Sequence, residues 1–403
     1  MSGSRTEPPL PGLSTWLRAL PLSLCVGLLC GLSAALFLTA LHLVTDLRAA
    51  QSWLVWLLPV GGLLIGAAYD RWGATAGQGT NRIIDALADG GHPLPRRLAP
   101  MVLLGTLATH LVGGSAGREG TAVQMGAGLA DTLARGLGAP PPLRRLLLFA
   151  GVGGGFGAVF GTPFAGAIFA ASFIRLHRMQ WQALPVALAA ALAGDATTRL
   201  LGIEHFPFPR IAPPPLTPAS LAGWVLLGAG VGLLARAFVM LTHAIKAASE
   251  RHLPRLPLRL AAGGSLLLLL TLLVGSRDFL GLGLPLLSAA FEGAPTLSEV
   301  AFKLLFTVIT VGVGFVGGEV TPLFVIGALA GRLAAPLLGL QETTAAAVGM
   351  VALFGAAANT PLALLVMAVE LFGLALLPQA AVAVVVAQLL SGPSGIYLRQ
   401  RPR

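Results

Sequence analysis

Two short segments set a carboxylate among glycines and a threonine. The first is Gly117-Arg118-Glu119-Gly120-Thr121; the second is Gly317-Gly318-Glu319-Val320-Thr321-Pro322. Each leads into an apolar run, residues 122–133 and 323–338. The start of a helix carries unpaired N–H groups and the positive end of its dipole. An anion binds there without a buried cation. An acidic side chain at the same place competes with that anion for the donors. It also takes up a proton when the anion arrives, because a desolvated carboxylate beside a second negative charge favours its neutral form. Anion and proton movements are then linked. Glu119 is the candidate gate and proton-coupling residue on this reading.

The segments belong to a repeat. Glu119 and Glu319 are 200 residues apart. Downstream, Gly161-Thr162-Pro163 and Asn359-Thr360-Pro361 each open an apolar stretch, with their prolines 198 residues apart. Pro163, Pro322 and Pro361 sit where a first-turn proline costs no hydrogen bond. Two homologous halves of inverted topology follow. Plainer roles compete for several residues. Glu119 could simply complement a helix dipole, and Glu319 could brace neighbouring loops. Arg118 reads as structural or anion-steering. Asp195 and Arg199, at i,i+4, read as an internal ion pair. Glu370 reads as a partner for a backbone end.

The elements that position these groups must lie in a bilayer. The chain has 403 residues, 55% hydrophobic and 10% charged, too few charges to clothe a soluble surface of that size. Apolar runs at 20–44, 54–68, 221–239 and 260–274 are long enough to cross a membrane or most of it. The 52 glycines and 29 prolines imply close helix packing and helices that stop inside the membrane. The prediction is an all-α polytopic membrane protein of about 16 to 18 helical segments, a transporter or channel. Residues 1–14 form a polar tail, 15–200 the first repeat, 201–216 a connecting loop and 217–403 the second repeat, ending in a short pore-lining helix. No soluble regulatory domain is expected.

Net charge is +10, from 26 Lys+Arg against 16 Asp+Glu. Basic segments 175–178, 243–259 and 399–403 fall on the cytoplasmic side by the positive-inside rule, and with them the C-terminus. Loops 206–218 and 276–278 fall outside. Scattering of the basic residues over short loops argues against nucleic-acid binding. Cys25 and Cys30, five apart on one apolar helix, read as buried thiols that do not pair. The N-terminal span is too long for a signal peptide. Gly392-Pro393-Ser394-Gly395 mimics the nucleophile turn of an intramembrane serine protease, but no histidine follows Ser394 to act as its base. No Cys/His cluster or Walker A segment suggests a metal or other cofactor.

Residues 113–120, Gly-Gly-Ser-Ala-Gly-Arg-Glu-Gly, resemble the signature of the CLC superfamily, in which G-[KR]-E-G supplies backbone amides and a gating glutamate. Gly77-Gln78-Gly79 resembles the family's G-S-G segment, residues 317–322 its G-x-F-x-P segment, and Tyr397 the tyrosine of its central anion site. Thr121 replaces a proline of chloride-type members, and Glu319, Val320 and Thr321 replace apolar residue, phenylalanine and alanine. This combination is similar to the fluoride-exporting branch. The resemblance implies an anion path lined by Gly77, Gln78, Gly79, Gly117, Arg118, Gly120, Thr121, Gly318, Glu319, Val320, Thr321 and Tyr397. It also implies fluoride and protons as the transported ions, a bacterial inner membrane and a homodimer with one pore per subunit. The dimer would join through segments 164–174, 182–199, 362–376 and 380–390. Chloride-type exchangers carry an internal glutamate near the place of Ser172, Phe173 and Ile174; the fluoride branch resembles an exchanger without it. A chloride- or nitrate-handling channel or exchanger is the alternative.

Overall fold

A computed structural model describes residues 12–89, 93–174 and 178–400. Residues 1–11 of the expected tail, basic residues 175–177 and 401–403, lie outside that set. Among the described residues there are sixteen α-helices and no strand.

The helices fall into two successions of eight. The first is α1 (Leu13–Ala50), α2 (Leu58–Ala68), α3 (Thr80–Asp89), α4 (Leu98–Val112), α5 (Glu119–Gly136), α6 (Pro141–Phe160), α7 (Pro163–Ser172) and α8 (Leu184–Leu200). The second is α9 (Pro218–His252), α10 (Leu256–Val274), α11 (Leu284–Glu292), α12 (Leu297–Val313), α13 (Val320–Leu338), α14 (Glu342–Ala358), α15 (Pro361–Phe372) and α16 (Leu377–Ser391). Packing repeats as well: α5 lies on α6 as α13 lies on α14, and α1 on α8 as α9 on α16. Even the closest contacts correspond. A Cβ on Gly126 of α5 would stand 2.2 Å from the Gly151 carbonyl of α6, and one on Gly327 of α13 would stand 2.4 Å from the Gly349 carbonyl of α14. Four glycines at these two crossings let backbones touch, which is how helices gain packing energy in lipid.

Among the described residues, seven helical segments are long and apolar enough to cross a membrane. At 38 and 35 residues, α1 and α9 exceed the ~20 that a bilayer core requires, so they cross it tilted or extend beyond it. By contrast α7, with 10 residues, and α15, with 12, reach only about half-way. Each has its threonine-proline pair at the start, with the proline in the first turn. Asn359 before α15 sits at φ 55°, the one left-handed non-glycine residue described. Gly373, at φ 105°, ends α15 at Phe372, short of the expected residue 376.

Three further expectations are corrected. Cys30 is buried, but Cys25 is exposed on the other side of α1, since five residues turn a helix to a different face. Basic segment 243–259 is no loop: α9 continues to His252, and only 253–255 separate it from α10. Residues 392–400 carry no helix, because Gly392-Pro393-Ser394-Gly395 breaks the chain after α16.

Candidate functional site

The starts of α5 and α13 meet back to back. The Gly117 amide donates to the Gly318 carbonyl at 2.5 Å and the Gly318 amide returns the bond to Gly117 at 2.8 Å, an isolated antiparallel bridge. A Cβ on Gly318 would lie 2.8 Å from the Gly120 nitrogen, so this approach requires glycine.

Glu119, the first residue of α5, is 1% exposed. Its carboxylate crosses to the start of α13, where the Thr321 hydroxyl donates to it at 2.5 Å and the Thr321 amide at 3.1 Å. The Arg118 amide donates at 3.1 Å. A carboxylate therefore occupies helix-start donors of the kind that bind anions, through short, charge-assisted bonds. Arg118 Nε lies 3.5 Å from the same carboxylate, close enough for charge attraction but without a hydrogen bond. Thr121 turns away: its hydroxyl pairs with that of Thr106 on α4 at 2.7 Å.

The expected site residues divide between two cavities that share no lining residue. One, of about 220 Å³, is lined by Gly77, Gln78, Gly79, Glu319 and Tyr397, with Lys246, Glu250 and Arg259 towards the α9–α10 junction. The other, of about 20 Å³, is lined by Arg118, Glu119 and Thr321 with Phe160, Phe324 and His205. Glu119 and Thr321 thus face one side, while Glu319, two residues away, faces the other. Gly120, Val320 and Gly318 are buried between them.

Tyr397 is 6% exposed, and its ring stands edge-on to Phe173 with centroids 6.4 Å apart. No hydrogen bond to its hydroxyl is formed among the described residues. Its non-helical segment is held by the end of α14. The Ile396 amide donates to Ala357 at 2.8 Å, and the Gln400 side chain donates to Ala358 at 2.7 Å and to Phe173 at 3.1 Å. If Tyr397 donates to the ion, Tyr397→Phe weakens fluoride binding or slows transport by roughly 3- to 10-fold, the worth of one hydrogen bond. Anion-concentration dependence of efflux measures this, and an unchanged affinity and rate would leave Tyr397 as packing.

Further residues support the site, and of these Lys303, Thr310 and the phenylalanines are not evident from sequence. Lys303 of α12 is fully buried and donates to Ser115 Oγ at 3.0 Å and to the Phe279 and Gly281 carbonyls at 3.2 and 2.9 Å. Thr310 accepts from the Ser115 amide at 3.1 Å. Together they fasten the 113–117 segment from the second half. Phe156, Phe160, Phe324, Phe354 and Phe169 form a closed circuit of ring contacts beside the site. Glu370 accepts from the Phe164 and Ala165 amides at 3.0 and 2.7 Å, so it caps α7. Asp195 and Arg199 pair at 2.9 Å, although Arg199 is mostly exposed.

Broken helices that end against one another within two repeated halves are the architecture of a membrane ion transporter or channel. The profile of the voltage gated chloride channel family matches residues 61–392. The chain belongs to that family, the CLC proteins. It is 41% identical over 398 residues to a chloride/fluoride channel protein of Pseudomonas syringae pv. tomato, covering 97% of this chain and 87% of that one. A crystal structure of a CLC-type fluoride/proton antiporter superposes with a TM-score of 0.95 at 32% identity, covering 98% of this chain and all of the other. A slow cyanobacterial Cl⁻/H⁺ antiporter shares the fold, with a TM-score of 0.80 at 24% identity over 94% of this chain and 96% of that one.

Proposed function

We propose that the protein exports fluoride across a bacterial inner membrane in exchange for protons. The observation that carries this reading is the Glu119 carboxylate bound to the hydroxyl and amide of Thr321. It holds the place of an anion in the smaller cavity, while the cavity lined by Glu319 and Tyr397 shares no residue with it. Fluoride is small and strongly hydrated, and exchanges its water only for short, strong donors; the Thr321 hydroxyl and amide are such a pair. When fluoride takes those donors, Glu119 is released beside a negative charge and accepts a proton. The similarity to the fluoride/proton antiporter and the Pseudomonas relative supports fluoride over other anions. An H(+)/Cl(-) exchange transporter of Vibrio cholerae, 28% identical over 92% of this chain and 86% of that one, represents the alternative.

Purified protein in liposomes, with efflux read by ion electrodes, tests the substrate. Fluoride efflux is expected to exceed chloride efflux at least ~10-fold, the discrimination of one charge-assisted donor; equal fluxes would place the chain with chloride-type members.

The protein acts as a homodimer with one pore per subunit. α7 packs on α15, and Phe164, Leu192, Leu362 and Leu389 on α7, α8, α15 and α16 present exposed apolar side chains for such a contact. The larger cavity opens to the cytoplasm, because Lys246, Arg251 and Arg255 cluster at the α9–α10 junction. A reporter inserted at residues 253–255 is expected to read cytoplasmic, and periplasmic activity there would reverse the assigned direction of transport.

A further inference from the structure

On the face that carries loop 201–217, a second, open cavity adjoins the one holding Glu119. It measures about 690 Å³ and includes Arg199, Glu204 and Glu370 in its lining. Four side chains line both cavities: Phe160, Phe206, Phe208 and His205. The partition is aromatic apart from one imidazole. The Phe206 and Phe208 rings stand 4.8 Å apart. The inner cavity, about 20 Å³, has room for about one water.

His205 is held in a defined tautomer. Its Nε2 lies 3.0 Å from the Ala158 carbonyl, which can only accept, so Nε2 carries hydrogen. Nδ1 is then the lone-pair nitrogen of the neutral ring, and it has no protein partner among the described residues. The ring rests on Gly161, where a Cβ would stand 3.0 Å from Nδ1. Charged groups reach it from two helices: Arg118 at the start of α5, and Asp195 and Arg199 on α8. Packed nearby, α6 contributes the Ala158 carbonyl and α11 only Leu284 and Leu287. Glu370 of α15 and Glu204 of the loop share the outer cavity, and Glu119 the inner one.

We propose that His205 is the proton relay between the outer cavity and Glu119. Nδ1 accepts a proton from a hydronium ion in the outer cavity, leaving water, and the ring becomes an imidazolium. Nδ1 then gives the proton to the inner water, which passes one of its own to a Glu119 carboxylate oxygen. The ring returns to neutral with Nε2–H still on Ala158. His205 is the one side chain of that partition able to carry a proton. Burial holds the imidazole below its ordinary pKa, with Arg199 and Arg118 acting the same way against Ala158 and Asp195, so it rests neutral and gives up its proton readily.

This inference rests on the antiport reading, and its test separates the two. Proton uptake driven by a fluoride gradient is measured in liposomes across external pH for the parent, His205→Gln and His205→Ala, each first checked for the parent's elution volume. Glutamine keeps a donor for Ala158 but cannot carry a proton at these pH values. Proton uptake is expected to fall at least ~10-fold in both variants, with a flattened dependence on external pH. Free imidazole, admitted by the open outer cavity, is expected to restore uptake in His205→Ala but not in His205→Gln. Parent-like uptake and pH profile in both variants would overturn the relay while leaving antiport intact. Loss in both without imidazole rescue would assign His205 a structural role instead, and absence of uptake in the parent itself would overturn antiport and the relay together.

Discussion

Glu119→Gln is expected to abolish fluoride-driven proton uptake, a loss of at least ~100-fold for a group that must gain and lose a proton in each cycle. Glutamine retains nearly the size of the side chain; its one carbonyl oxygen can accept from the Thr321 amide while its NH2 donates to the Thr321 hydroxyl oxygen. It removes the charge that makes those bonds strong and the site that titrates. Fluoride movement then either stops, because nothing competes the ion off the helix ends, or continues without protons; coupling is lost both ways. Internal pH in liposomes under a fluoride gradient, with and without a protonophore, reads the result. Uphill proton pumping at the parent rate would remove Glu119 from the coupling role and pass it to Glu319, the carboxylate of the second repeat element.

The second large effect is expected at Thr321. Thr321→Val keeps the shape and the backbone amide but deletes the hydroxyl that reaches Glu119 at 2.5 Å. A hydrogen bond to a charged group contributes about 1.5–3 kcal/mol, or roughly 10- to 100-fold. Fluoride depends more on such a donor than larger, weakly hydrated anions do. The fluoride-to-chloride efflux ratio should therefore fall by about 10-fold or more. An unchanged ratio would show that the hydroxyl serves only to hold Glu119. In that case the variant should instead show more anion leak at rest.

Much of the site could be read from sequence because it consists of local devices. The glycines and proline around Glu119 and Glu319 mark helix starts wherever they occur, and their spacing revealed the two halves. The interruption at Thr162-Pro163 and Thr360-Pro361 was legible for the same reason. What could not be read depends on residues distant in the chain. Nothing near Lys303 indicates that it will meet Ser115, and nothing near His205 indicates that it will lean on Gly161. The two faces of the site are another case. Glu319 and Thr321 are neighbours in sequence, yet the first turn of α13 sends one to each cavity. Tyr397 was expected on a short helix, which does not form. Its segment is short and follows Gly392-Pro393, so it is held by hydrogen bonds to the end of α14 and to Asn359, with one internal bond from the Gln400 amide to the Tyr397 carbonyl.

The Gly117–Gly318 bridge has a mechanical consequence. Two reciprocal backbone bonds, with no side chains to bend between them, join the residue just ahead of the α5 N-cap to the one just ahead of the α13 N-cap. Neither helix end can retreat without dragging the other or breaking both bonds inside the membrane, where a lost backbone partner costs several kcal/mol. The joint behaves as a fixed axle shared by the two halves of the molecule. On the proposed mechanism, the part that opens and closes around it is the lighter one: the Glu119 carboxylate swinging about its own side-chain bonds.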